Sequence, residues 1–277
     1  MAKLKVAELF YSIQGEGRYM GVPSVFLRVF GCNFKCEGFG LPKGETSNER
    51  FAIDADSVKH YNDLPLVSTG CDSYASWDPR FKHLSPVLAT DSIAASIMDM
   101  LPHKRWTDEH LVITGGEPLL GWQRAYPDLL KHIDMLNLKE LTFETNGTQE
   151  LDKEFATFLK HSFEYDQLTF SVSPKLSVSG ERWEEAICPQ IVADYAKVGY
   201  TYLKFVVASE EDVIEAHKAV KDYYEAGFYG PVYLMPVGGV ESVYSLNNRK
   251  VAELAMNNGW RYSDRLQVPL FKNEWGT

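Results

Sequence analysis

The feature that most constrains this chain is a regular alternation of strand-like and helix-like segments. Six runs rich in β-branched and aromatic residues recur: "PSVFLRVFG" (23–31), "HLVITGG" (110–116), "ELTFETNG" (140–147), "QLTFSVSP" (167–174), "TYLKFVVAS" (201–209) and "PVYLMPVGG" (231–239). Helix-like segments fall at 91–101, 123–136, 150–161, 183–198, 210–226 and 244–258, the first opening on Asp91 as an N-cap. From the second run onward, strand starts lie about 30 residues apart, the length of one βα unit. Crossovers of constant hand lay each new strand parallel to the last. Units that never reverse direction curl toward a barrel, and six strands fall short of the eight that close one. The expectation is an α/β fold, a partial (incomplete) parallel β/α barrel of about six strands.

The rhythm breaks once. Residues 32–109 separate the first two strands, and 37–70 within them are polar and rich in turn formers. This stretch reads as an insertion in the first βα loop of a single domain, 1–277. Two readings stand: a surface loop, or a lid or partner surface, since long loops are uncommon and often functional.

Polar motifs gather at strand ends. Gly31-Cys32-Asn33 follows the first strand and Gly115-Gly116-Glu117-Pro118 the second. Glu144-Thr145-Asn146-Gly147 closes the third and Ser171-Val172-Ser173-Pro174-Lys175 the fourth; Lys204 lies within the fifth, and Pro236-Val237-Gly238-Gly239 follows the sixth. The C-terminal ends of parallel barrel strands share one face, so one pocket can collect the whole set. Any single Gly or Pro turn equally well just ends its strand. "QGEGRYMG" (14–21) has the wrong glycine spacing for a dinucleotide loop and precedes a strand. It reads as a polar loop at the pocket mouth, offering Gln14 and Glu16. Arg28, within the first strand, needs an anion if it points inward.

Four cysteines are present: Cys32, Cys36, Cys71 and Cys188. Cys32 and Cys36 form a C-x₃-C pair, which suits soft-metal ligation or two buried apolar thiols. Cys188 precedes Pro189 in a helix-like stretch, where a buried apolar role fits better. A net charge of −10 and a pI near 5.2 argue against a general nucleic-acid surface. With no run of 18 apolar residues and no signal-like N-terminus, the expectation is a cytoplasmic protein without a membrane span.

Taken together, "GCNFKC", "CDS", "TGGEP", "ETNG" and "SVSPK" resemble radical S-adenosylmethionine enzymes. More narrowly, "FYSIQGEGRYMGVPSVFLRVFGCN" resembles the 7-carboxy-7-deazaguanine synthases. The resemblance covers 8–36, 71–77 and the strand-end motifs to about 239, and resumes weakly in "DRLQVPLFKNEWGT". It implies a radical SAM type of barrel and a lyase converting 6-carboxy-5,6,7,8-tetrahydropterin to 7-carboxy-7-deazaguanine with loss of ammonia. It also implies a [4Fe–4S] cluster, S-adenosyl-L-methionine and Mg²⁺, a small electron-donor protein (flavodoxin or ferredoxin type), a homodimer, and no direct contact with nucleic acid.

The family pattern is C-x₃-C-x₂-C followed by Asp-Thr. Here Phe39 holds the third cysteine's place, and Cys71-Asp72-Ser73 arrives after 34 intervening residues, 37–70. Stretching a loop from 2 to 34 residues costs roughly 2–3 kcal/mol. Metal–thiolate sites contribute on the order of 10 kcal/mol, so a displaced third ligand is tolerable. The resemblance then assigns Cys32, Cys36 and Cys71 to the cluster and Ser73 to Mg²⁺. It assigns Gly115, Gly116, Glu117, Glu144, Asn146, Ser171, Ser173 and Lys175 to adenosylmethionine. Gln14, Glu16 and Arg28 fall to the substrate, and no catalytic side chain is assigned beyond cluster and cofactor. The pattern departs at Met235, where relatives often carry Gln, and at Gln267, where many carry His. A glycyl-radical activating enzyme, or a non-catalytic metal-binding barrel holding zinc, are the alternatives at this stage.

Overall fold

The structure is a computed structural model, which describes residues 1–132 and 136–277. One sheet of nine strands runs in the order β3-β1-β2-β4-β5-β6-β7-β8-β9. The six expected strands are all present: β2 (Pro23–Val29), β4 (His110–Gly115), β5 (Glu140–Thr145), β6 (Leu168–Val172), β7 (Tyr200–Val207) and β8 (Val232–Pro236). They pair in parallel from β2 through β8, and β9 (Arg261–Tyr262) continues the parallel run. β6 and β8 are buried along their whole length, as strands covered on both faces should be. Two further strands extend the first edge: β1 (Lys3–Ile13) lies antiparallel to β2, and β3 (Val87–Ala89) antiparallel to β1. The sheet does not close, since its ends are β3 and β9.

Helices follow the strands. α1 (Thr90–Met100) starts one residue before the expected cap: Ala89 is the N-cap, and Asp91 sits in the first turn, where the helix dipole favours a negative charge. α2 (Tyr126–Leu130) fills part of the helix expected at 123–136, which also runs into 133–135, outside the described residues. α3 (Lys153–Ser162) follows β5. The helix expected over 183–198 is two, α4 (Trp183–Ala186) and α5 (Pro189–Tyr195), because Pro189 is tolerated at a helix start but not within one. α6 (Glu210–Glu225) opens with a capping box between Ser209 and Asp212 and buries Val213, Ala216, Val220 and Tyr223 along one stripe. α7 (Glu241–Asn257) and the short α8 (Gln267–Phe271) complete the chain. Among the described residues no helix is long and apolar enough to cross a membrane.

The inserted stretch has a core of its own. Val58, Leu64 and Val67 pack with Tyr74, Ala75 and Phe81 in a second apolar cluster, with Trp275 against it. Arg50 ties the stretch together through Glu37 at 2.5 Å and Asp78 at 3.2 Å. Its ends meet: the amide of Gly70 donates to the carbonyl of Phe39 at 2.7 Å, and that of Ser47 to Glu37 at 2.8 Å.

Candidate functional site

The neck closes at Phe39 and Gly70, which sets Cys71 beside the loop that carries Cys32 and Cys36. Cys32, Cys36 and Cys71 share one apolar cluster with Phe34, Phe39 and Ala186, and all three line the main cavity. The loop is moored from outside. The carboxylate of Glu181 accepts from the amides of Lys35 (2.8 Å) and Cys36 (2.7 Å). Gly38 lies against 178–180 so closely that a Cβ there would sit 2.7 Å from the Gly180 amide nitrogen.

Burial pushes the Cys32 thiol up to about 12 and raises Cys36 and Cys71 as well. The Lys175 ammonium opposes that rise at all three. Sulfur also accepts hydrogen bonds, from the amide of Phe34 to Cys32 and from the indole of Trp77 to Cys71, each at 3.4 Å. Such donors stabilise thiolate. Among the described residues no three His, Cys, Asp or Glu side chains stand as a group for one metal ion. Thiolates on a single ion, with bonds of about 2.3 Å, would lie under about 4 Å apart. Cys188 does not line the cavity; its thiol lies near the carbonyl of Glu185 at 3.6 Å.

The strand ends do converge. Gly115, Gly116, Glu144, Asn146, Ser171, Ser173 and Lys175 all line the cavity. Glu144 accepts from Gln14 at 3.0 Å and from Thr114 at 3.1 Å. Asn146 bonds Asn33 of the cysteine loop at 2.9 Å, and Lys175 donates to Ser173 at 3.0 Å.

Three residues expected at the cofactor also make close contacts within the protein. Gly115 and Gly116 serve internal packing: a Cβ on Gly116 would lie 2.4 Å from the Gly31 carbonyl and 2.6 Å from Cys32 Cβ, and one on Gly115 2.3 Å from the Val29 carbonyl. They let the cysteine loop seat on β4. Glu117 is fully buried and absent from the cavity wall. Its carboxylate accepts from Thr145 Oγ1 (2.8 Å) and the amides of Asn146 (2.7 Å) and Leu119 (3.0 Å). It holds the Glu144–Gly147 turn in place. Burial lifts its carboxyl to about 6, against those donors.

The 14–21 loop lies on the floor, not at the mouth. It connects antiparallel β1 and β2, so it lies where β2 begins, and Tyr19 reaches Glu140 at the start of β5 (2.5 Å). Gln14 and Glu16 still point up into the cavity. Glu16 is partnered by Lys204, by Arg265 at 3.4 Å and by Gln267 at 2.8 Å. Burial would raise its carboxyl; Lys204 and then Arg265 outweigh that and hold it well below the usual carboxylate range. Arg28 has its anion in Glu8 at 2.9 Å, directly across the β1–β2 ladder, and also donates to Ser73 at 3.2 Å. Ser73 in turn donates to Asp72 at 3.3 Å.

Sequence reasoning left Glu8, Asp72, Glu181, Lys204 and Arg265 without roles here. Asp72 and Lys204 stood within motifs already noted, and Glu8 had a signal as the residue opposite an inward Arg on an adjacent strand.

Comparison with known proteins bears on this arrangement. The 7-carboxy-7-deazaguanine synthase of Halobacterium salinarum is 30% identical over 296 residues, covering 98% of this chain and 91% of that protein. The chain belongs to the 7-carboxy-7-deazaguanine synthase family. The synthase of Pyrobaculum aerophilum is 27% identical over 281 residues, 99% of this chain and 97% of that one. The crystal structure of QueE from Escherichia coli superposes with a TM-score of 0.56 at 20% identity, covering 95% and 94% of the two chains. At that identity the likeness speaks for the synthase fold. No protein-family model matches the chain.

Proposed function

We propose that this chain is a lyase converting 6-carboxy-5,6,7,8-tetrahydropterin to 7-carboxy-7-deazaguanine with loss of ammonia, a step of 7-deazapurine (queuosine-type) biosynthesis. Membership of the family implies radical S-adenosylmethionine chemistry. The observation that carries the reading is the closed neck of the insertion, which brings Cys71 into one apolar shell with Cys32 and Cys36. The donor set fits a [4Fe–4S] cluster: three soft ligands, an apolar wall and backbone or indole donors to sulfur. Cys32, Cys36 and Cys71 would hold the cluster, which would supply an electron, and bound adenosylmethionine would supply radical chemistry at the substrate.

The chain's own residues bind, orient and exclude water. Lys175 balances the charge of three thiolates. Glu144, Asn146, Ser171 and Ser173 offer the polar contacts for adenosylmethionine, with Gly115 and Gly116 shaping the wall. Glu117 acts behind that wall by fixing Asn146. Gln14 and Glu16 floor the cavity beneath a flat pterin, and the guanidinium of Arg28 answers its carboxylate. Ser73 presents a hydroxyl beside Asp72, two hard oxygens suited to Mg²⁺ alongside substrate oxygens. The chain works as one domain, 1–277, with 37–70 inserted in the cluster loop, as a homodimer served by a flavodoxin- or ferredoxin-type donor.

The test is Cys71→Ala, assayed anaerobically after iron–sulfur reconstitution. Wild type should carry about four irons per chain and form the deazaguanine product. The variant should lose cluster iron and product together. Iron and product retained without Cys71 overturn the assignment.

A further inference from the structure

Arg28 and Arg265 both line the cavity, yet they are engaged differently. Among the described residues, the hydrogen bonds of Arg28 run through Nε, to Glu8, and Nη1, to Ser73. Arg265 spends all its nitrogens on protein: Nε on Glu16 at 3.4 Å, Nη1 on the Gly238 carbonyl at 2.5 Å, Nη2 on Asp72 at 2.5 Å. These partners lie far apart in sequence. Glu16 is on the floor loop, Gly238 follows β8, and Asp72 directly follows Cys71.

The sheet is open, so no strand ladder joins β9 to the β1–β3 edge. The segment after β9 makes that connection instead. The Leu266 amide donates to the Gly15 carbonyl at 3.1 Å, and the Gly17 amide to Ser263 Oγ at 2.9 Å. Arg265 stands at the centre of this seam, 8% exposed.

We propose that Arg265 is a positioning residue, a clamp across the open side of the barrel. It fixes Glu16 and Asp72 in one frame and leaves Arg28 as the receptor for the substrate's anionic group, an assignment that rests on the lyase reading of this cavity. The physical need is plain. Without Arg265, Glu16 and Asp72 lose the one guanidinium that bonds both of them and the Gly238 carbonyl. A planar guanidinium can serve three directions at once, whereas an ammonium is a point charge. Moving Asp72 moves its neighbour Cys71, and moving Glu16 moves the cavity floor. The clamp therefore couples cluster loop and substrate floor, which share no direct side-chain bond among the described residues.

The experiment compares wild type, Arg265→Met and Arg265→Lys as full-length reconstituted protein. Hydrogen exchange of the backbone and KM for the carboxypterin are read in parallel. Arg265→Met should speed exchange at 14–17 and at 71–73 together and raise KM about tenfold to a hundredfold; Arg265→Lys should recover part of both. Faster exchange confined to 263–267, or an unchanged KM, overturns the clamp. Should Arg265→Met fail to fold, Arg265→Gln and Asp72→Asn are measured singly and together. Coupling requires the double variant to be less impaired than the two singles summed, and strict additivity overturns it. A wild type that leaves the pterin untouched breaks the lyase reading, while the joint exchange response still decides the clamp.

Discussion

The two faces of the 14–19 loop solve one problem in opposite ways. Both are taken out of water, and both carry polar groups. The upper face keeps its charge: Glu16 stays ionised because Lys204 and Arg265 surround it, and burial of Lys204 is outweighed by Glu16, which raises the ammonium. The lower face buries a neutral imidazole, with the charges of Arg18 and Glu140 beside it. Tyr19 packs at a tilt against His110, ring centroids 4.3 Å apart, and His110, between Ser24 at 3.4 Å and Thr142 at 2.8 Å, is held neutral by burial, its imidazole pushed down to about 3. Desolvation is answered by pairing above and by neutrality below. Paired charges make a field that can orient a polar ligand. A neutral imidazole aims no charge at a ligand and packs where the strands begin.

The largest effect expected from breaking this contrast is at Lys204. Lys204→Met leaves Glu16 buried with one cationic partner instead of two. Removing one member of a buried pair typically costs about 3–5 kcal/mol. Stability should fall by that order, and pterin turnover by about a hundredfold or more, because the floor carboxylate either takes up a proton or swings away. Urea unfolding and steady-state kinetics on the reconstituted protein check both. Turnover within about twofold of wild type would show that the upper charges serve packing alone, as the lower imidazole does.

The next effect is one of pH, and its sign separates the faces. The folded pKa of His110 is about 3 against an ordinary 6.5. As pH falls below 6.5 the unfolded chain takes a proton that the folded chain refuses. Stability from this residue is therefore intact above 6.5, declines by about 1.4 kcal/mol per pH unit below it, and levels off near 3. Glu16 is depressed from 4.5, so its contribution is present above 4.5 and lost only as pH falls further. Of the two, His110 alone acts between pH 6.5 and 4.5. His110→Gln should flatten the urea-unfolding slope in that window and leave turnover at pH 7 unchanged; an unaltered slope would mean the imidazole is not held neutral.

The lower layer was not visible in the sequence, and the reason is instructive. The six central strands were legible because strands buried on both faces read as apolar runs. β1 was not: "KLKVAELFYSI" carries Lys3, Lys5 and Glu8, and its ladder slips between Val6 and Glu8. β3 and β9 are three and two residues long, too short for any pattern. In the site, local motifs that line the cavity stood out in the sequence, Cys71-Asp72-Ser73 among them. The charge network was not, because its members lie 188, 193 and 249 residues apart, in Lys204–Glu16, Arg265–Asp72 and Arg265–Glu16. Nothing local marks such pairs. The structural bonds of Glu117 were hidden for a related reason: its motif is local, but its partners Thr145 and Asn146 lie at the end of the neighbouring strand.

The smallest effects come from one chemical change made on each face. Thr142→Val and Thr114→Val both swap a hydroxyl for a methyl on adjacent parallel strands. Thr142 bonds neutral His110 below; Thr114 donates to Glu144 above, 3.1 Å from its Oε2. The lower change removes one neutral hydrogen bond and should lower stability by about 1 kcal/mol with no change in KM for adenosylmethionine. The upper change removes a donor to a carboxylate that Gln14 also holds, so Glu144 keeps its place but is less tightly aimed. Its stability loss should be similar, and KM for adenosylmethionine should rise by about twofold to fivefold, an amount equal to roughly 0.4–1 kcal/mol. Equal KM values for the two variants would remove Glu144 from the cofactor's contacts. A KM rise in Thr142→Val alone would reverse the assignment of the two faces.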